Sequence, residues 1–345
     1  MTAEVAIMNK HAIALAADSA VTMTDKKIFT SADKLFALSR YHPIGIMVYG
    51  SAIFMGVPWE TIIKIYRNKL AMKKFDTLDQ YASDFIKFLD DGNPLFPDSD
   101  QEAYFYSSVY GYFNLIKNEI TKQLQTKIKE KGEISEAEIM QVATEIIKYH
   151  YEEWQKAKNI PSIRKNFNEK LMAKYRKRIN EAIAQVFEKL PIQKKHLTQL
   201  KRIAVSLFSK FPKDIHREDI SGVVIAGFGE KDTFPSLKSF FLEGIAANKL
   251  KFKLLISSKI DFNTSASIMP FAQGEMVATF MEGSDPFYRE VEKNYLSQML
   301  KEYARIISEN LEKYSDREKT ELKERFIKDG NKILDEYRKK LLDYI

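Results

Sequence analysis

The sequence predicts an α+β fold in which two β-sheets pack together between layers of helices, with a long helical segment inserted. Three observations predict it. Four strand-like runs open the chain and lead into two helices. Helical periodicity then covers residues 102–211. Strand character returns over residues 222–271, and helices follow. This order of elements is expected of an αββα layering.

The first strands form two predicted hairpins. The turn of the first hairpin is Asn9-Lys10-His11, and the turn of the second is the breaker-rich stretch Ser39–Pro43. Gly50 ends the second hairpin. The four predicted strands cover residues 4–8, 12–17, 34–38 and 44–49.

Two predicted helices follow these strands. From Ser51 the apolar spacing changes to a helical period that runs through Trp59 and Tyr66. Thr77 is a plausible N-cap for the second helix. Turn-forming residues between 90 and 100 then mark a boundary, and Pro161 and Pro191 divide the helical insertion that follows.

The later elements are strands followed by helices. The helical stretch begins after Gly274, and Asp-Gly and Ser-Asp pairs predict breaks near residues 283–286, 315–316 and 329–330. The predicted strands cover residues 222–228, 237–242, 251–260 and 266–271. The predicted segments are the first half of the core at 2–94, the helical insertion at 95–217, the second half of the core at 218–283 and C-terminal helices at 284–345.

Composition excludes several kinds of chemistry. The 345 residues include no cysteine, so disulfides and thiolate nucleophiles are excluded, and a cytoplasmic location is expected. No leader and no apolar run of about 18 residues is present, so no membrane association is expected. The five histidines lack metal-ligand spacing and no phosphate-binding glycine loop occurs, so no cofactor or metal is predicted.

The N-terminus carries the strongest chemical pattern. Thr2 follows Met1, and removal of methionine would leave a threonine with a free α-amine. Such an amine, with a pKa of about 7.7–8.0, can accept the proton of the adjacent hydroxyl. Asp18 ends the first hairpin and Lys34 begins the next strand. A cation beside the amine would lower the amine pKa, and Asp18 would orient Lys34.

These residues resemble a known family. Its pattern is matched by Thr2, by Ala16-Ala17-Asp18-Ser19, by Lys34-Leu35-Phe36-Ala37-Leu38 and by Tyr49-Gly50-Ser51-Ala52. The sequence resembles proteasome β-type subunits and their bacterial two-tier relative, which are threonine peptidases of the N-terminal nucleophile hydrolase superfamily. The resemblance covers roughly residues 2–90 and 220–282.

The resemblance implies an αββα sandwich of the N-terminal nucleophile hydrolase type. It implies that Thr2 is the nucleophile, that Asp18 and Lys34 assist it, and that the Gly50 N–H forms the oxyanion hole at the head of the first helix. It also implies a polypeptide substrate and a homo-oligomer with enclosed sites fed by an unfoldase. The inserted helices are then candidates for gating access or binding an adaptor.

The chain also departs from this family, which keeps an alternative open. Gln273 stands where the family has a serine, and the late Asp-x-x-Ser-Gly loop has no counterpart after Glu282. The alternative is a catalytically inactive scaffold whose basic insertion binds a partner protein or nucleic acid. A solvated helix face is the simpler interpretation, so nucleic-acid binding is not expected. The basic residues of the insertion are Arg164, Lys165, Lys170, Lys174, Arg176, Lys177, Arg178, Lys194, Lys195, Lys201 and Arg202.

Overall fold

A computed structural model describes residues 3–19, 21–22, 28–29, 33–90, 92–164, 166–211, 221–272 and 274–342. The chain divides into two compact units. The first takes its described residues from Met1–Ala6, Ala16–Ser31 and Ile268–Ile345, and the second takes them from Ile7–Leu15 and Ala32–Ser267.

The described elements occur in blocks, in the predicted order of strands, helices, strands and helices. The strands are β1 (Ala3–Asn9), β2 (Ile13–Ala17), β3 (Val21–Thr22), β4 (Ile28–Phe29), β5 (Leu35–Ala37), β6 (Ile44–Gly50), β7 (Ile53–Phe54), β8 (Val57–Pro58), β9 (Ser221–Gly227), β10 (Ser236–Ala246), β11 (Lys249–Lys259) and β12 (Ala266–Ala272). The helices are α1 (Trp59–Leu70), α2 (Leu78–Asp90), α3 (Asp98–Lys131), α4 (Glu136–Lys156), α5 (Phe167–Val186), α6 (Lys194–Ser206), α7 (Gly274–Glu282), α8 (Pro286–Glu309) and α9 (Asp316–Leu342).

A five-stranded antiparallel sheet forms the centre of the second unit, in the order β11-β10-β9-β6-β5. Every residue of β9 is buried, which explains its continuous apolar run. Helices α1 and α2 share one hydrophobic core with the sheet, because their apolar residues recur every three or four positions. A separate three-stranded sheet has the order β12-β1-β2. The predicted α+β class is therefore confirmed.

Helices α3 to α6 enclose a second hydrophobic core of their own. The linkers that contain Pro161 and Pro191 separate α4 from α5 and α5 from α6, as predicted. The break between α3 and α4 is not predicted from the sequence. There Gly132 has a φ of 85°, and Ser135 and Glu138 form a reciprocal capping box that starts α4.

The helical insertion is attached to the β10–β11 hairpin. The Ala247 N–H donates to the Tyr175 hydroxyl at 3.1 Å, and the Asn248 N–H donates to the Gln101 side-chain oxygen at 2.7 Å. Gly244 allows the Tyr104 ring to approach, because a Cβ atom at that position would lie 2.2 Å from the ring. The insertion and the sheet therefore belong to one compact unit.

Residues 51–58 correct a prediction of the sequence analysis. The helical period was expected to begin at Ser51, yet β7 and β8 form a short hairpin and α1 begins only at Trp59. Met55 and Gly56 both have positive φ values, of 49° and 83°, which suits the two-residue turn of a hairpin. The conformation of these two turn residues therefore determines the local structure, although the spacing of the apolar residues predicts a helix.

A second correction concerns the helices of the first unit. The predicted breaks near residues 283–286 and 315–316 are confirmed, and Asp285 caps α8 through the Phe287 and Tyr288 N–H groups. The predicted break at Asp329-Gly330 is wrong, because α9 continues through it. A Cβ atom at Gly330 would lie 3.0 Å from the Leu300 side chain, so this glycine serves the close approach of α8 and α9. Among the described helices, none has both the length and the apolar character required to cross a membrane.

Candidate active site

The candidate site begins at the head of β1. Thr2, the predicted nucleophile, lies outside the described residues, and Ala3 is the first residue that the structure describes. β1 places Ala6 and Met8 in the interior. The strand predicted over residues 4–8 is confirmed.

Asp18 lies beside the first residue of β1. Its Oδ2 atom accepts a hydrogen bond from the Ala3 N–H at 3.2 Å, and the Asp18 N–H donates to the Ala3 carbonyl oxygen at 3.0 Å. The Asp18 side chain is half-buried. Both the backbone and the carboxylate of Asp18 are thus held against the residue that follows Thr2 in the chain.

Lys34 lies in the second unit, immediately before β5. Its carbonyl oxygen accepts a hydrogen bond from the Val48 N–H at 2.9 Å, which continues the antiparallel pairing of β5 with β6. The Lys34 side chain is half-buried. The pairing places Lys34 beside Val48 of β6, and Val48 lies two residues before Gly50.

Gly50 ends β6, as predicted, and has a φ of 79°. Only glycine adopts this left-handed region without a steric cost from Cβ. The prediction that Gly50 lies at the head of the first helix is wrong. Residues 51–58, including the β7–β8 hairpin, separate Gly50 from α1. The backbone that follows Gly50 is therefore a turn.

Hydrogen bonds from Ser221 and Trp59 hold the turn that follows Gly50. Gly50 pairs with Ser221 across β6 and β9. The Ser221 hydroxyl donates to the Ser51 carbonyl oxygen at 3.3 Å and accepts from the Trp59 indole N–H at 3.0 Å. The Trp59 N–H donates to the Ala52 carbonyl oxygen at 3.1 Å. Trp59 and Ser221 are both almost fully buried, so the bond between their side chains is shielded from water.

Ser221 has no predicted role, and Trp59 is predicted only as an apolar position of a helix. One signal was present. Ser221 is a polar residue directly before an apolar strand, and a buried serine at such a position needs a hydrogen-bond partner. The identity of that partner could not be read from the sequence, because Ser51 and Ser221 are 170 positions apart.

β12 ends at Ala272, directly before the position where the family that the sequence resembles has a serine. Gln273, which stands there, lies outside the described residues. Before it, Ala272 has a φ of 58°, an uncommon conformation for a residue with a Cβ atom. After it, α7 begins at Gly274. The chain thus changes from strand to helix at this position.

The basic run of the insertion, on which the scaffold alternative rests, is partly neutralised. On α5, the Lys174 ammonium lies 2.8 Å from an Asp98 carboxylate oxygen, and the Arg178 guanidinium lies 2.5 Å from Glu102. Both carboxylates belong to the first two turns of α3. This face of α5 therefore carries both charges.

Over the described residues, no group of three histidine, aspartate or glutamate side chains is arranged to hold a metal ion. The sequence matches no protein-family model and no curated protein.

Proposed function

We propose that the protein is a threonine-type N-terminal-nucleophile hydrolase that cleaves peptide or amide bonds after Met1 is removed. The Thr2 hydroxyl attacks the carbonyl carbon while the Thr2 α-amine accepts its proton. That proton passes to the leaving amine, and water then hydrolyses the ester formed with Thr2. Lys34 disfavours protonation of the α-amine, Asp18 positions Lys34, and the Gly50 N–H stabilises the oxyanion.

The observation that carries this proposal is the double hydrogen bond between Asp18 and Ala3. Ala3 directly follows Thr2, so a carboxylate is held one residue from the proposed nucleophile. A carboxylate in that position can balance the charge of a nearby ammonium group. The backbone bond continues the pairing of β1 with β2, whereas the bond to the carboxylate is additional and fixes the side chain of Asp18.

Two further observations support the proposal within the second unit. The turn after Gly50 is held by Ser221 and Trp59, and a backbone donor stabilises an oxyanion best when it needs no reorganisation. Leu15 of β2 also lies against β6 within this unit. A Cβ atom at Gly45 would lie 3.0 Å from Leu15 Cδ1, a contact expected of the αββα sandwich.

The direct test is the intact mass of the purified protein before and after incubation with a peptide epoxyketone. This electrophile reacts with both the hydroxyl and the free α-amine of an N-terminal threonine. We expect loss of Met1 and one adduct that maps to Thr2. Retention of Met1 removes the base that the mechanism needs and favours the inactive scaffold.

The matched variants are Thr2→Ala and Thr2→Ser. Thr2→Ala should lower peptide hydrolysis by at least about 10³-fold, because the nucleophile is lost. Thr2→Ser keeps a hydroxyl beside the amine and should retain measurable turnover and the adduct. Undiminished hydrolysis by Thr2→Ala, with Met1 removed and the fold intact, excludes Thr2 as the nucleophile.

A further inference from the structure

The two sides of α5 differ in how their cations are paired. On the side that faces α3, Lys174 and Arg178 each have a carboxylate partner. On the side that faces α6, Arg176 has no carboxylate partner within the part of the chain that the structure describes. A cation without a local partner beside paired neighbours leaves a positive charge available to a ligand.

A cavity of about 720 Å³ lies along this second side, in the groove between α5 and α6. We call it the α5–α6 groove. Its lining residues recur every three or four positions on each helix, so each helix contributes one face. They are Gln155, Asn168, Glu169, Met172, Ala173, Arg176, Thr198, Lys201, Arg202, Val205, Ser206 and Lys210.

The α5–α6 groove is strongly positive. It contains four cations, Arg176, Lys201, Arg202 and Lys210, against the single acid Glu169. The Arg202 guanidinium donates to the neutral Tyr151 hydroxyl at 2.9 Å, and no carboxylate pairs with the other three among the described residues. Like charges this close repel one another, and an anion would relieve the repulsion.

Lys210 closes the inner end of the groove. Its side chain is almost completely buried, and its ammonium donates to the Trp154 and Gln155 carbonyl oxygens at 2.8 and 3.1 Å. Burial lowers the Lys210 pKa. A buried ammonium bonded only to neutral carbonyl groups is costly, and a nearby anion would favour its charged form.

The groove also has an apolar part. Met172, Ala173 and Val205 lie among the cations, and Val205 is buried. Cavities for small organic ligands typically measure about 300–1,000 Å³ and combine apolar walls with a few placed charges. The volume and the lining of the α5–α6 groove fit that description.

We propose that the α5–α6 groove binds a small phosphorylated molecule. Its phosphate group is held by Arg176, Lys201 and Arg202, and its organic part lies against Met172 and Val205. Guanidinium groups suit phosphate because they donate two parallel hydrogen bonds to it. Nucleic acid fits less well, because it needs an extended basic face and the neighbouring cations of α5 are paired with acids. The inference is independent of the proposed hydrolase activity.

The test is isothermal titration of the full chain with ADP and with inorganic pyrophosphate at about 0.1 M salt, where weak surface charge is screened. The groove variant is Arg176→Gln with Lys201→Gln. The control is Lys170→Gln with Lys177→Gln, which removes the same charge from α5 outside the groove. A third protein, Arg176→Lys with Lys201→Arg, keeps the groove charge. Thermal unfolding checks that every variant is folded.

We expect saturable binding of at least one probe with one molecule per chain. The groove variant should weaken that binding by at least about tenfold, while the control pair stays within about twofold and the charge-keeping variant binds. Absence of saturable binding of both probes overturns the proposal, as does an equal loss in groove and control variants. A single-stranded oligonucleotide could instead bind more tightly than either probe and be weakened equally by the groove variant and the control pair. That result would indicate that these cations bind nucleic acid.

Discussion

Within the second unit, the end of β6 and the junction of the sheet with the helical insertion hold their buried polar groups by different means. In the sheet region, the turn after Gly50 is held by the neutral groups of Trp59, Ser221 and Ser51. Where the insertion meets the sheet, a buried ion pair joins Lys251 to Glu243 at 2.5 Å. A lost neutral hydrogen bond costs less than a buried charge without its partner. The two regions should therefore respond differently to substitution.

The largest effect is expected at the ion pair. Lys251 is almost fully buried, and its ammonium also donates to the Leu207 carbonyl oxygen at 2.6 Å. Lys251→Met should lower the free energy of unfolding by about 3–5 kcal/mol, because the Glu243 charge remains buried. Urea denaturation measures the loss.

The double variant Lys251→Met with Glu243→Leu is the control for that prediction. It removes both charges and should recover most of the lost stability, because a well-packed apolar pair can replace a buried ion pair. A double variant as unstable as the single one would show that the packing of the lysine chain, and not its charge, supports the junction.

The next effect is a steric one in the sheet. A Cβ atom at Gly222 would lie 2.0 Å from the ring of Tyr49, which faces it across β6 and β9. Gly222→Ala should therefore cost about 1–3 kcal/mol, measured by thermal unfolding. Gly111→Ala is the matched control on α3, where the new Cβ atom meets nothing within 4 Å. That control should stabilise the protein by about 0.5–1 kcal/mol.

A smaller effect is expected at Ser221. Ser221→Ala removes the bonds to the Ser51 carbonyl oxygen and the Trp59 indole, and should cost about 1–2 kcal/mol. Under the proposed function it should lower kcat more than it raises KM, because the turn after Gly50 loses its support. Ser107→Ala, at an exposed serine of α3, should change neither quantity. A rise in KM at constant kcat would contradict the positioning role.

The smallest effect is expected at the N-terminus of α4 in the insertion. Ser135→Ala removes the capping hydroxyl and should cost about 1 kcal/mol, measured by urea denaturation.

Hydrogen bonds from Lys131 and from Ser135 lower the pKa of Glu138 to about 2. Because the folded pKa is depressed, the contribution of Glu138 is complete above the ordinary pKa of 4.5 and is lost as the pH falls towards 2. A Glu138 titration near 4.5 in the folded protein, followed by NMR, would contradict this.

Most elements could be predicted because their signals are local. The hairpin turn at Asn9 is an example, since its side chain accepts from the His11 and Ala12 N–H groups at 2.8 and 2.9 Å. The errors occurred where a local signal had two interpretations. Gly330 resembled a helix break, yet its role is contact with Leu300 on another helix.

The candidate site divides in the same way. Asp18 could be selected because it follows a predicted strand, and Gly50 because the residues around it resemble a family pattern. Ser221 and the α5–α6 groove could not. The first depends on a pairing between distant strands, and the second depends on which sides of two helices face each other. Neither the pairing of distant strands nor the facing of two helices leaves a periodic pattern or a motif in the sequence.

The sequence alone determined the order of strands and helices, the helical insertion and the residues expected at the head of β1, because backbone preferences and apolar spacing act over a few neighbouring residues. Only the tertiary structure decided which cations of α5 have acidic partners and which hydroxyl holds the turn after Gly50. The bonds of Lys174 to Asp98 and of Ser221 to Ser51 join residues more than 70 positions apart, and they form only when the packing of whole elements brings the residues together.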